Sequence, residues 1–102
     1  MQLNDFITLT FDLDLNYELF FELNTLFIPI VNFSVDDQAF VLHAILANKK
    51  ALPLRKFSIE TSKVNKMNRD ILINYNNKIF KVFGYRINYN RLVIKGMPKI
   101  DY

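Results

Sequence analysis

Displaced by 52 residues without a gap, the chain falls onto itself with its apolar positions in register. Residues 7–45 align with 59–97, and 16 of the 18 apolar residues in the second window stand opposite an apolar residue in the first. The two compositions alone would give about 11. Identities are few (Ile7 with Ile59, Asn16 with Asn68, Asn24 with Asn76, Val41 with Val93), so what the windows share is a burial pattern. Half of a 102-residue chain buries too little surface to offset its own chain entropy, and two such units must therefore share a core. The expectation is one domain, residues 1–102, built from two repeats, 1–47 and 54–99, joined by a linker at 48–53.

Each repeat reads as βαββ, an α+β unit. Residues 6–11 are β-rich and alternating, and residues 55–61 have the same look around Phe57 and Ile59, so each is expected to open its unit as a strand. After Asp14, a plausible N-cap, Leu15, Leu19, Phe20, Leu23 and Phe27 recur at helical spacing, with Glu18 and Glu22 on the polar side. In the second repeat Ser62 can cap a helix carrying Val64, Met67, Ile71, Leu72 and Tyr75, stopped by Asn76 and Asn77 with Lys78 at its end. Two hairpins follow, 28–35 with 40–46 around Asp36-Asp37-Gln38, and 79–87 with 91–95 around Asn88-Tyr89-Asn90; residues 96–102 read as a tail. Phe83, Tyr85 and Ile87 match Val31, Phe33 and Val35 and are expected in the core. Two such units can meet about a pseudo-twofold axis with antiparallel-rich sheets under two helices; a ferredoxin-like βαββαβ fold is the alternative if either first strand is weak.

Charge is divided unevenly. Residues 1–52 carry seven acids against Lys49 and Lys50, a net −5, whereas residues 53–102 carry eleven bases against Glu60, Asp70 and Asp101, a net +8. Opposite halves attract one another across their boundary, and the second also offers a basic face to an anionic partner. The first eleven residues include Asp5 and no basic stretch, unlike a signal peptide, and residues 23–35, the longest uncharged run, are too short to span a bilayer. No membrane association is expected.

The sequence offers little for catalysis. It has no cysteine, and its two glycines, Gly84 and Gly96, form no phosphate-cradling loop. The single histidine, His43, sits in an apolar run and reads as a strand residue finding one hydrogen bond. Asp12 with Asp14, and Asp36 with Asp37, lack calcium-loop spacing and suit capping and turn roles. No catalytic residue, cofactor or metal is assigned, and the chain is read as a non-enzyme.

The tandem halves, the lack of a catalytic motif and the bias toward Asn, Lys, Ile, Tyr and Phe resemble the small orphan proteins of filamentous archaeal viruses, of the Acidianus filamentous virus type. That resemblance implies a host-cytoplasmic setting and a binding role. The function expected from the residues is a protein–protein interaction module that takes an extended peptide from a viral or host partner in a groove, or at strand edges, between two βαββ repeats. Phe33, Tyr85, Tyr89 and Arg91 are the candidate peptide-binding residues. The alternative is nucleic-acid binding through bases interleaved with aromatics in the second repeat: Lys78, Lys81, Arg86, Arg91 and Lys95. A second copy of the chain is a further candidate partner.

Overall fold

The computed structural model describes residues 1–65 and 68–99. Elements run in the order α1 (Leu3–Thr10), β1 (Glu18–Leu23), β2 (Leu26–Val35), β3 (Ala39–Ala44), α2 (Leu54–Thr61), β4 (Asp70–Tyr75), β5 (Lys78–Asn88) and β6 (Arg91–Pro98). The fold is α+β, with a six-strand mixed sheet closed into a barrel in the order β1-β2-β3-β4-β5-β6. Each half contributes an antiparallel meander, and the halves join through two parallel ladders, β3 with β4 and β6 with β1.

The ladders of the two halves have the same register. Phe21 pairs with Ile28 and Ile73 with Phe80; Phe33 pairs with Leu42 and Tyr85 with Ile94. Across the joins, Ala39 pairs with Asp70 and Arg91 with Glu18. Even the irregularities correspond, falling between Ile30 and Asn32 in β2 and between Val82 and Gly84 in β5.

Within each half, however, helix and strand are exchanged relative to the βαββ reading, and the order is αβββ; the ferredoxin-like order does not occur either. Residues 6–11 and 55–61, expected as strands, fall mainly in helices. In α1 the buried residues are Leu3, Phe6 and Thr10, and in α2 Leu54, Phe57 and Thr61, an i, i+3, i+7 spacing that only a helix turns to one side. The Gln2 N–H donates to Asp5 Oδ2 at 3.2 Å, closing the first turn of α1. Tertiary burial of these three positions outweighs the strand preference of Ile7, Thr8, Thr10 and Ile59.

The expected helices fall on β1 and the start of β2 in the first repeat and, among the described residues, on a connection and β4 in the second. Leu19, Phe20 and Phe21 are all buried, as are Ile71, Leu72 and Ile73, which no one-sided helix could manage but a strand covered on both faces does. Asn24 (φ 57°), and Asn76 and Asn77 (φ 52° and 62°), adopt the left-handed conformation, in the turns that fold β1 onto β2 and β4 onto β5. Asp14 caps no helix: its Oδ1 accepts from the Asn16 N–H at 2.9 Å in the α1–β1 connection. Met67, assigned to the second helix, lies outside the described residues.

One bulge residue per half resets the phase of the inward-facing side chains. Ile28 and Ile30 join the core before the β2 bulge and Phe33 after it; Phe80 and Val82 join before the β5 bulge and Tyr85 after it. Phe83, expected in the core, is consequently 53 % exposed, and Val35 and Ile87 at the strand ends are exposed as well. The supposed linker is only partly one. Ala51 is buried, the Leu52 N–H donates to Ile30 O at 2.8 Å, and the Leu19 N–H donates to Leu52 O at 2.9 Å, so this segment straps the outside of β1. Gly96 to Pro98, read as tail, belong to β6.

The helices cover the barrel end that carries the β2–β3 and β5–β6 turns. Phe57 meets Phe6, Phe33 and Phe40 edge-on with ring centroids 5.4, 6.0 and 5.5 Å away, and Phe6 meets Tyr85 at 6.1 Å. Around Phe21, the rings of Phe80 (4.9 Å) and Tyr75 (6.4 Å) fill the other end.

Candidate functional site

The seam between the two helices opens into a groove of about 360 Å³. One wall is the C-terminal turn of α1 and the residues after it, Ile7, Phe11, Leu13 and Leu15; the other is α2, through Leu54 and Phe57. Thr10 and Thr61 line the seam between them, yet their hydroxyls donate back into their own helices, to Phe6 O and Phe57 O at 2.9 Å each. The groove therefore sees mainly their methyl groups. Its position is held by main-chain bonds from α2 to the incoming chain: the Leu54 N–H donates to Tyr17 O (2.8 Å) and the Arg55 N–H to Leu15 O (2.9 Å). Over this groove Phe11 is 83 % exposed, and Leu15 is exposed beside it. Asp12 lies in the rim, and the Arg55 guanidinium donates to Asn16 Oδ1 at 3.3 Å nearby.

The four candidate peptide-binding residues do not line this groove. Phe33 and Tyr85 lie under the helices as half-buried supports, with the Tyr85 hydroxyl donating to Leu9 O at 2.9 Å. Tyr89, at φ 56° in the β5–β6 turn, is 93 % exposed. Arg91 lies flat on the outer wall, its guanidinium carbon 4.5 Å from the Phe20 ring centre and 5.8 Å from that of Phe27. Barrel closure also removes the strand edges at which a peptide was expected to add, since every strand has two neighbours.

The candidate nucleic-acid residues divide into two groups. Arg86, Arg91 and Lys95 gather on the outer wall around Glu22 and Phe27. There Arg86 Nη2 donates to Glu22 Oε1 at 2.6 Å, Lys95 Nζ lies 3.9 Å from Glu22 Oε2, and Arg86 also covers Phe27 at 5.2 Å. The hydrogen bond from Arg86, and then the charges of Arg86 and Lys95, hold the Glu22 carboxyl below the usual carboxylate range. This cluster covers apolar wall, and Glu22 offsets one of its three positive charges. Lys78 and Lys81 are exposed and form no ion pair with a described residue.

The remaining polar candidates are engaged locally. His43 Nε2 lies 2.7 Å from Ser34 Oγ on the neighbouring strand. Asp36 Oδ1 accepts from the N–H groups of Gln38 and Ala39, both at 2.8 Å, and these bonds keep its carboxyl below its ordinary range while tying the β2–β3 turn. Among the described residues no three of His, Asp and Glu converge as metal ligands, and no helix is long and apolar enough to cross a membrane. Sequence reasoning missed the groove because its walls are the stretches it read as strand and helix start. The available signal was the alternation Phe11-Asp12-Leu13-Asp14-Leu15, which puts large apolar side chains in a segment too acidic to be buried.

Comparison with protein-family models, with curated proteins and with solved structures finds no match to this chain.

Proposed function

We propose that the protein is a non-enzymatic interaction module that holds a short apolar peptide segment of a viral or host protein in the seam between α1 and α2. On the resemblance to filamentous archaeal virus proteins, it meets that partner in the host cytoplasm. The observation that carries this reading is the pairing of a largely exposed Phe11 with an apolar groove of about 360 Å³ beside it, at the low end of the size of ligand pockets. The groove stands on two helices whose buried residues pack into one core, so its walls are formed before a partner arrives. With no strand edge on offer, the segment is held by side chains entering the groove rather than by an added ladder.

Selection from a random peptide display library tests this. Apolar-rich binders are expected, with affinities almost indifferent to salt and reduced at least tenfold by Phe11→Ala together with Leu15→Ala, about 2 kcal/mol for two partly buried anchors. Binders whose affinity survives that double substitution, or a library that yields none, would refute the assignment. If the selected surface is instead a second copy of the chain, sedimentation will show a dimer that the same variant dissociates.

A further inference from the structure

The barrel has a second end, and neither α1 nor α2 lines it. There the β1–β2 and β4–β5 turns flank a cleft of about 630 Å³. Its floor is aromatic and aliphatic, with half-buried Tyr75 beside Phe80 and Ile79. The rim carries three carboxamides, Asn24, Asn76 and Asn77, all exposed and none hydrogen-bonded through its side chain to a described residue. The left-handed backbone of all three sets them there: the turns require φ above zero, and Asn adopts it more readily than other residues with a side chain.

Among the described residues, the charges that line this cleft are both positive. Lys78 and Lys99 line the cleft without an ion-pair partner among the described residues, and no carboxylate of a described residue lines it. Lys81, three residues further along β5, is exposed on the opposite face of the strand and does not line the cleft. These cations come from the second half alone, because the positions 52 residues earlier are Leu26, Pro29 and Ala47. The like register of the halves thus brings both turns to this end, while the unequal composition makes one side of it cationic.

We infer that this mouth binds a nucleoside phosphate unit, either a free nucleotide or the terminal nucleotide of a single nucleic-acid strand. Each part of the ligand has a counterpart. Tyr75 and the apolar floor receive the flat face of a base, as aromatic platforms do for unpaired bases. The carboxamides both donate and accept, which suits a base edge. Lys78 and Lys99 receive the phosphate as unneutralised point charges. A bare anion would leave the floor unused, and an apolar ligand would leave the lysines unpaired. The inference stands independently of the groove between the helices, since it concerns the opposite end of the barrel and different residues.

Amide-resolved NMR titration of the full chain is the test, using AMP, inorganic phosphate and a 5′-phosphorylated hexathymidylate at low salt as separate probes. AMP or the oligonucleotide should give saturable shifts at the side-chain amides of Asn24, Asn76 and Asn77 and at the Lys78 backbone. Affinity should fall at least tenfold in a Lys78→Glu, Lys99→Glu double variant, whose exposed positions leave the fold intact. Tyr75→Leu should weaken AMP while leaving phosphate unchanged. Saturation by AMP at the same concentration as by the oligonucleotide assigns a free-nucleotide site; tenfold tighter oligonucleotide assigns a strand end. The inference is overturned if phosphate binds as tightly as AMP, if the shifts fall on Arg86 and Arg91 instead, or if no probe shifts the rim amides at low-millimolar concentration.

Discussion

Replacing Phe57 by Ala isolates what joins the two halves at their helical end. The ring is 2 % exposed and touches three others, one on α1, one on β2 and one on β3, so truncation opens a cavity at the point where both helices meet the barrel. Core Phe→Ala changes cost about 3–5 kcal/mol, and the edge-on pairs add about 0.5 kcal/mol or more apiece, which places this one near the top, about 5 kcal/mol. A domain of this size has about 5–15 kcal/mol in total, so the variant should be folded only marginally. Urea denaturation followed by circular dichroism reads the difference: with m of about 1–2 kcal/mol/M, the midpoint should drop by roughly 2–5 M. Phe11→Ala is the matched control, the same substitution one residue past α1 at a ring 83 % exposed, and should cost under about 0.5 kcal/mol. Equal costs at the two positions, or a loss below about 1 kcal/mol for Phe57→Ala, would refute the packing described for the helix seam.

Other substitutions probe single features. Gly96→Ala would place a Cβ 3.1 Å from Phe80 Cβ and 3.3 Å from Lys81 O and Phe21 Cε1, so it should cost about 1–3 kcal/mol in the same assay, whereas Gly84→Ala meets nothing within 4 Å and should be neutral or stabilising. Tyr85→Phe removes the bond to Leu9 O and should lose about 0.5–1.5 kcal/mol. Glu22 has a carboxyl pKa depressed in the folded protein by Arg86, so its contribution is complete above the ordinary carboxylate pKa and is lost as pH falls through its folded value. The stability gap between the wild type and Glu22→Gln should accordingly be present at neutral pH and close in acid, as urea midpoints at both will show.

Legibility of the chain followed the strength of its local signals. The hairpins β2–β3 and β5–β6 could be read because Asp36-Asp37-Gln38 and Asn88-Tyr89-Asn90 break two β-rich runs with residues that tie turns or accept positive φ. The helices could not, because an eight-residue helix buries only three positions, and in residues 6–11 those positions coincide with an alternating, β-branched pattern. The converse error at Leu15, Leu19, Phe20, Leu23 and Phe27 arose because a strand, a turn at Asn24 and the next strand happen to repeat apolar residues at three- and four-residue intervals. No glycine marks that turn, so nothing interrupted the apparent helix. The candidate groove is built from these same stretches. Phe33 and Tyr85 proved to be supports, while Phe11 and Leu15, which border the groove, had been placed inside elements. The outer-wall bases were visible in sequence, but the ion pair of Arg86 with Glu22, 64 residues away, depends on the parallel closure of β6 on β1.

That closure is what makes one barrel of two like halves, and cross-strand NOEs measured on the labelled chain test it most directly. The structure requires interstrand contacts between β1 and β6 in parallel register, Leu19 with Leu92 and Phe21 with Ile94, matched by Phe40 with Ile71 and Leu42 with Ile73 between β3 and β4. Observing both sets would establish the closed barrel. Sequential amide–amide and i to i+3 contacts running from Leu15 to Phe27, the signature of a helix there, would contradict it.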